Sequence, residues 1–402
     1  MTESPIHPAD TDAISRVLEV EPVWLGLRPA AEAVGLDRQT LLHAGPAFTD
    51  PGAICRPVLN SAVVAAVYEG LAPDFEQAER MILGGDVTLR PAQDYGVVTP
   101  LAAVVSASMN LQVVADMRHD SRVAHAPING GSGPAPRLGL RTPEALEHIR
   151  WLNGPLAEVL ARALEEPIRL IPLARQGLEG GDDGHGRTPV ATAALAGLIA
   201  PRFGPGETAD RARTFLDQGP SFFLNLWMAA CKCMLMAADG VAASGLVTAA
   251  GGNGVETGIG LAGLPGQWVA AAAEPPRGSI DDPALAGRAL GAIGDSAIVD
   301  ALGFGAMAMS FAPEQQKALM PFMPEGGLAL PGLLLMSEHP AFHPLTLHVG
   351  LSARAVAATG RRPVVSLGIL DRDGQAGRLG GGIYQPPQGL FEAALEALDA
   401  AT

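Results

Sequence analysis

Cysteine and lysine are almost absent from this chain of 402 residues, which has 3 cysteines. Cys55, Cys231 and Cys233 form an odd set with no spacing framework, which excludes a disulfide scaffold and fits a reducing cytosol. Cys231 and Cys233 stand two apart in a helical run, so they point to different faces and make no metal pair. Lysine occurs only as Lys232 and Lys317; the other cations are arginines. The formal charge is −15. That balance excludes a nucleic-acid partner, because phosphate binding needs a basic surface, and it disfavours anionic membranes. Residues Met1 to Asp12 have neither a basic flank nor an apolar core, so no signal peptide is expected and a cytoplasmic location is. The chain also lacks a Walker-type Gly-Lys-Ser/Thr, a Gly-x-Ser-x-Gly elbow around Ser106 or Ser108, internal repeats and heptads.

What the chain has instead is apolar residues and glycine. The apolar fraction is 48% against 17% charged, the balance of a folded protein with sizeable cores. Ser221 to Leu264 is the stretch around which the rest is organised. Its first half predicts a helix buried all round, capped by Ser221 and closed by Gly240. A mid-segment Lys and Asn argue against a membrane span and for a core helix. Asn225, Lys232 and Asp239 recur every seven residues and share a stripe, which is either an exposed seam or the wall of a cleft. A compact ammonium such as Lys232 in a cleft can hold an anion or titrate.

The second half predicts two short strands joined at Asn253-Gly254, a hairpin signal. Without side-chain bulk, such a turn either serves as a turn alone or lets backbone amides approach an anionic substrate. Gly258 to Gly263 fits GxGxxG literally, but Pro265 follows where a helix should run, so no dinucleotide site is expected.

The order of elements predicts an α+β, multi-domain chain with antiparallel or mixed sheets and a helical middle domain. Residues 1–135 read as an N-terminal α+β domain. It has a helical opening near 13–36, a strand at Leu41 to His43, and helices at Asn60–Gly70 and Asp74–Gly84. Strands follow at Val97-Val98, Ala102–Ser106, Leu111–Ala115 and Val123–Ile128. Residues 136–240 read as mainly helical, with Thr142 capping a helix that begins at Pro143. Residues 241–402 read as a C-terminal α+β domain with helices at Leu345–Ala358 and Phe391–Leu398.

Candidate chemistry concentrates in Gly180 to Arg187. Asp182 or Asp183 could orient His185 as a general acid or base near neutral pH; the bland alternative is a solvated acidic loop capping the next helix. Asp295 and Ser296 read as a helix cap or, after Gly294, as part of an anion site. His43 stands at a strand end before Gly45-Pro46, where ligand-facing residues gather. His339, His343 and His348 are separated by Pro340 and Pro344, so no helical metal pair forms and no metal site is expected.

The segments LLHAGP, VVSASM, FFLNLWMAACK, GLVTAAGGNGVETGI, GDSAIVDALGFGAMAM and GGGIYQPPQGLFEAALEAL occur in this order from about Ile14 to Leu398. Together they resemble the uncharacterised-domain family that contains the bacterial oxamate carbamoyltransferase subunit of allantoin catabolism. That resemblance implies carbamoyl transfer between a ureido acid such as oxalurate and phosphate, giving an amide such as oxamate plus carbamoyl phosphate. It also implies an acyl-CoA-synthetase-like partner subunit, and an oligomer is expected; a cofactor is not indicated. The chain departs from the family in three places. Pro91-Ala92-Gln93-Asp94 stands where Cys and His are commoner, the 181–187 loop has Gly for larger residues, and Gly251-Gly252 replaces an expected basic residue.

The site expected at the meeting of the domains therefore has His185, Asp182 and Asp183 for proton transfer. Asn129, Gly130, Asn253 and Gly254 are expected to donate to the substrate, with Asn225 and His43 facing it, and Lys232, Asp295 and Ser296 to serve the anion. Two other activities fit the same residues: hydrolysis of an amide or ureido group, and a non-catalytic role shaping a partner's site.

Overall fold

The computed structural model describes residues 7–402 and is α+β, with helices set among several small sheets, nearly all antiparallel. The central helix runs Phe222–Leu235 and continues as a 3-10 turn, Met236–Ala238. Leu224 is its only residue that is not buried. Phe222, Phe223 and Trp227 are fully buried, and burying side chains of this size contributes roughly 1.5–3 kcal/mol each. Ser221 precedes the helix without making a side-chain cap bond, and Gly240 at φ 85° turns the chain away. No single helix among the described residues is long and apolar enough to cross a membrane.

This helix covers the sheet formed by His119–Pro127, Asn110–Asp116, Pro22–Pro29 and Ile168–Arg169. The fourth strand comes from beyond residue 135, and the first helix, Pro8–Glu19, packs on Met236–Ala238 and on Leu335–Glu338. Packing thus runs across residues 135 and 240. The helical opening ends at Glu19, and residues 22–29 are a strand. Pro22 withholds a helix donor there, and Trp24 enters the core. Ala102–Ser106 makes only a single bridge, Val105 to Leu42, and is otherwise irregular.

Several expected signals hold. Asp74 accepts from the amide of Gln77 at 2.8 Å, and Thr142 from that of Ala145 at 3.2 Å, each starting a helix. The Asn253-Gly254 turn joins Val247–Asn253 to Glu256–Leu261, with Gly252 opposite Thr257. The GxGxxG lies along that second strand and its following turn, with no helix N-terminus behind it. Leu345–Ala358 is not one helix. It divides into strand His348–Leu351 and helix Ala353–Thr359 because Gly350, at φ 84° against Ile14, breaks the run and Ser352 recaps it.

Candidate functional site

Three layers meet at one short segment, Gly294 to Leu302, whose helix is Ala297–Leu302. At its start, Asp295 is fully buried and receives four hydrogen bonds. Its Oδ1 accepts from the Gly45 amide at 2.9 Å and from Gln93 Nε2 at 2.8 Å. Its Oδ2 accepts from the Thr99 amide at 2.9 Å and from Thr99 Oγ1 at 3.1 Å. Burial pushes this carboxyl up to about 6 against the pull of those donors. Asp295 is therefore a clasp between the N-terminal lobe and the Gly-rich hairpin, with its acceptor capacity spent inside the protein.

The hairpin explains the missing basic residue. A Cβ on Gly251 would lie 2.6 Å from Asp295 Oδ1, and one on Gly252 would lie 2.3 Å from the Ala292 carbonyl oxygen. No side chain fits at either place.

At the other end of the segment, Asp300 Oδ2 lies 2.6 Å from His185 Nδ1. Asp300 Oδ1 accepts from the amides of Ala306 at 2.8 Å and Ser366 at 3.0 Å, which fixes the carboxylate. His185 is 7% exposed, and its Nε2 has no hydrogen-bond partner among the described residues. Burial opposes its charge, but the Asp300 and Asp183 carboxylates outweigh burial and raise the imidazole above its ordinary value. The loop is held by Phe304, which packs edge-on against Trp227 at 4.9 Å and would collide with any Cβ on Gly184.

Asp183 does not orient the imidazole. Its Oδ1 accepts from the amides of His185 and Arg187 at 2.8 and 2.9 Å, and its buried Oδ2 has no partner. Burial raises it. Asp182 points elsewhere, accepting from the Ala191 amide at 2.9 Å and capping helix Pro189–Ile199. The loop does cap that helix, as the bland reading held, but its Asp182, Asp183 and His185 are buried while Gly180, Gly186 and Arg187 are exposed.

Between Asp295 and Asp300 the segment walls a narrow cleft, closed on other sides by Gly251, Ile259, Val365 and Tyr384, with Asp300 as its ionisable wall. Burial raises the Tyr384 hydroxyl, which lies beside Thr257. The cleft thus sets side-chain-free backbone beside a buried carboxylate, Asp300, which also holds the His185 imidazole.

The remaining candidates lie apart from this cleft. Asn129 donates to Asn225 Oδ1 at 2.9 Å and to the Ser221 carbonyl at 2.8 Å, and Asn225 donates to the Pro127 carbonyl at 2.9 Å. The pair ties a strand end to the start of the central helix. Gly130 packs on Ala135, and its carbonyl oxygen lies 2.8 Å from His148 Nε2. Asn253 caps its own turn, accepting from Val255 and Glu256 and donating to Pro46, while Gly254 supplies φ 88°. His43 is fully buried, donates from Nδ1 to the Ala44 carbonyl at 2.8 Å, and is lowered to about 4 by burial. Ser296 is buried and makes no side-chain cap bond.

Lys232 lines a separate cavity with Asp94, Asp239, Gln93 and Trp268 and donates to the Thr248 carbonyl at 3.0 Å. Of its stripe, Lys232 and Asp239 line this cavity, while Asn225 is buried elsewhere against Asn129 and Pro127. Burial lowers the ammonium while Asp239, Asp295 and Asp94 oppose that. Two carboxylates in this cavity leave one cation outnumbered, which disfavours an anion there.

Asp300, Gln93 and Thr99 are the contributors that sequence reasoning did not single out. An acid in the otherwise apolar run AIVDALGFGAMAM was the one available signal. Among the described residues, no group of three His, Cys, Asp or Glu side chains converges as for a metal ion.

Residues 87–296 match the family model described as oxamate carbamoyltransferase subunit AllG. The chain is 30% identical over 414 residues to the oxamate carbamoyltransferase subunit AllG of Escherichia coli (strain K12), covering 98% of this chain and 97% of that protein. It is 29% identical over 417 residues to the uncharacterized protein YahG of the same organism, covering 97% and 85%. It also matches the crystal structure of a conserved protein of unknown function from Enterococcus faecalis V583, with TM-score 0.91, 27% identity and coverage of 98% and 97%.

Proposed function

Because the chain belongs to the oxamate carbamoyltransferase subunit AllG family, we propose that it is the carbamoyl-transferring subunit of a cytoplasmic complex. Its substrates are an oxalurate-type ureido acid and phosphate, and its products an oxamate-type amide and carbamoyl phosphate. An acyl-CoA-synthetase-like subunit is the partner.

The observation that supports this reading is Asp300, which lines a cleft walled by glycine and holds the His185 imidazole at 2.6 Å. Phosphorolysis of a ureide begins when a phosphate oxygen attacks the carbamoyl carbon to give a tetrahedral oxyanion. The carbon–nitrogen bond then breaks, and the leaving amide nitrogen needs a proton. His185, whose charged form Asp300 and Asp183 favour, supplies it from Nε2 and regains one from the attacking hydrogenphosphate. Backbone amides of the Gly-rich walls suit the oxyanion, since fixed donors stabilise developing charge without reorganisation.

The test is turnover of oxalurate by the purified chain, alone and with its partner, with and without phosphate. Phosphate-dependent release of carbamoyl phosphate, lost in His185→Gln, supports carbamoyl transfer. Phosphate-independent release of ammonia or carbamate points to an amide or ureido hydrolase. A complex whose rate survives His185→Gln places the chemistry on the partner.

A further inference from the structure

Arg137 and Arg378 are guanidinium groups that make no ion pair and no side-chain hydrogen bond among the described residues, unlike Arg141 and Arg288 nearby, which hold Glu79 and Asp371. Arg137 Nη1 is buried without an acceptor, an arrangement that costs free energy until something accepts from it. Burial and the nearby charge of Arg378 bring Arg137 down to about 10. Neither guanidinium is ion-paired to a carboxylate among the described residues, and the loops that carry them adjoin.

Their surroundings are built to hold them there. Asn60, on helix Arg56–Tyr68, donates to the Gly139 carbonyl at 2.9 Å and to the Gly374 carbonyl at 3.1 Å. It thereby locks the loop carrying Arg137 to the loop leading into Arg378. Ser61 adds a bond to the Pro136 carbonyl at 3.0 Å. Arg378 Nη2 lies 2.8 Å from where a Cβ on Gly381 would be, so glycine there leaves room for the guanidinium along its strand. Leu101 packs its side chain on Gly368, beside Arg378, at a φ of 48° that costs a leucine strain. The next residue, Ala102, donates to the Arg137 carbonyl at 3.2 Å.

We infer that Arg137 and Arg378 form a binding position for a small oxyanion, a phosphoryl or carboxylate group, at the seam between the 136–140 loop and strand Arg378–Tyr384. Paired guanidinium forks suit such oxygens, and a bridging oxyanion gives Arg137 Nη1 its missing acceptor and separates two like charges. Lys232, hemmed by carboxylates, offers no comparable place. The inference goes beyond the proposed activity, since binding here is read without turnover.

The experiment is calorimetric titration of the full chain with inorganic phosphate and, separately, with oxalate, at fixed ionic strength. The proteins compared are wild type, Arg378→Ala, Arg378→Lys and Arg372→Ala, the last an exposed arginine of the same region. Saturable binding that weakens tenfold or more in Arg378→Ala, less in Arg378→Lys and not in Arg372→Ala is expected, charged hydrogen bonds being worth that much. Phosphate binding alone identifies a phosphoryl site, and oxalate binding alone a carboxylate site. Equal affinity in wild type and Arg378→Ala, or no saturable binding of either anion, overturns it. Because Arg378 is exposed, its variants keep the fold. Binding without turnover would leave this site standing while removing the carbamoyl-transfer reading; turnover without binding would do the reverse.

Discussion

His185 and Asp300 are 115 residues apart in sequence, yet Nδ1 and Oδ2 lie 2.6 Å apart with both side chains buried. Burial disfavours the charged imidazole, but the Asp300 and Asp183 carboxylates together outweigh it and raise the group above its ordinary value. A raised imidazole keeps its proton below its folded value and loses it as pH rises through that value. Turnover that uses the acid form therefore falls on the alkaline side. Asp300→Asn lowers turnover by about 10²–10⁴-fold, the usual contribution of a positioned acid, and moves the alkaline limb to lower pH. A kcat–pH profile of the two proteins checks both.

Asp295 acts through geometry. Four donors converge on it from two segments of the N-terminal lobe. Asparagine in its place turns an amide nitrogen toward one pair of donors and orphans at least one backbone N–H. We expect Asp295→Asn to destabilise by roughly 1–3 kcal/mol, read as a lower urea midpoint.

Gly252→Ala brings a methyl to 2.3 Å from the Ala292 carbonyl oxygen, in the strand pairing of Gly252 with Gly294. Backbone is on both sides, so the strands must part. Overpacking of this kind costs about 1–3 kcal/mol or more. Gly287→Ala, which meets nothing within 4 Å, is the control and leaves the melting temperature unchanged.

His43, His125 and His339 are each buried and each lowered to about 4, chiefly by burial. An unfolded histidine titrates near 6.5, so between pH 6.5 and 4 the unfolded chain binds more protons. Stability is fully present above 6.5 and drains away as pH falls toward 4. Over the same window Asp295, raised to about 6, acts in the opposite sense, so the histidine part is read by comparison of urea midpoints: His43→Gln should lose less stability on acidification than wild type while being less stable at neutral pH.

The central helix, the Asn253-Gly254 hairpin, the helix beginning at Asp74 and the cap at Thr142 were legible in sequence because each is a local signal. A run of apolar residues, an Asn-Gly pair or a polar residue before a helix carries its meaning within a few positions. The strand at Pro22–Pro29 and the break at Gly350 were not, because both depend on distant partners, Asn110–Asp116 for one and Ile14 for the other. The candidate site shows the same division. His185 stood out in a polar loop, but its partner is an acid inside an apolar run, which sequence reads as core. Asn129, Asn225 and Asn253 looked like substrate donors because amides in Gly-rich stretches often are; here the backbone of neighbouring segments uses them up. The empty place at Gly251-Gly252 read as a lost cation, while the packing shows a site where no side chain fits.

The most direct test of the account is the rate of carbamoyl phosphate formation from oxalurate and phosphate by the complex, with wild-type chain against His185→Gln. A phosphate-dependent rate that falls by at least a hundredfold in the variant, with its melting temperature unchanged, is the predicted result. A rate that is equal in the two, or that proceeds equally well without phosphate, contradicts it.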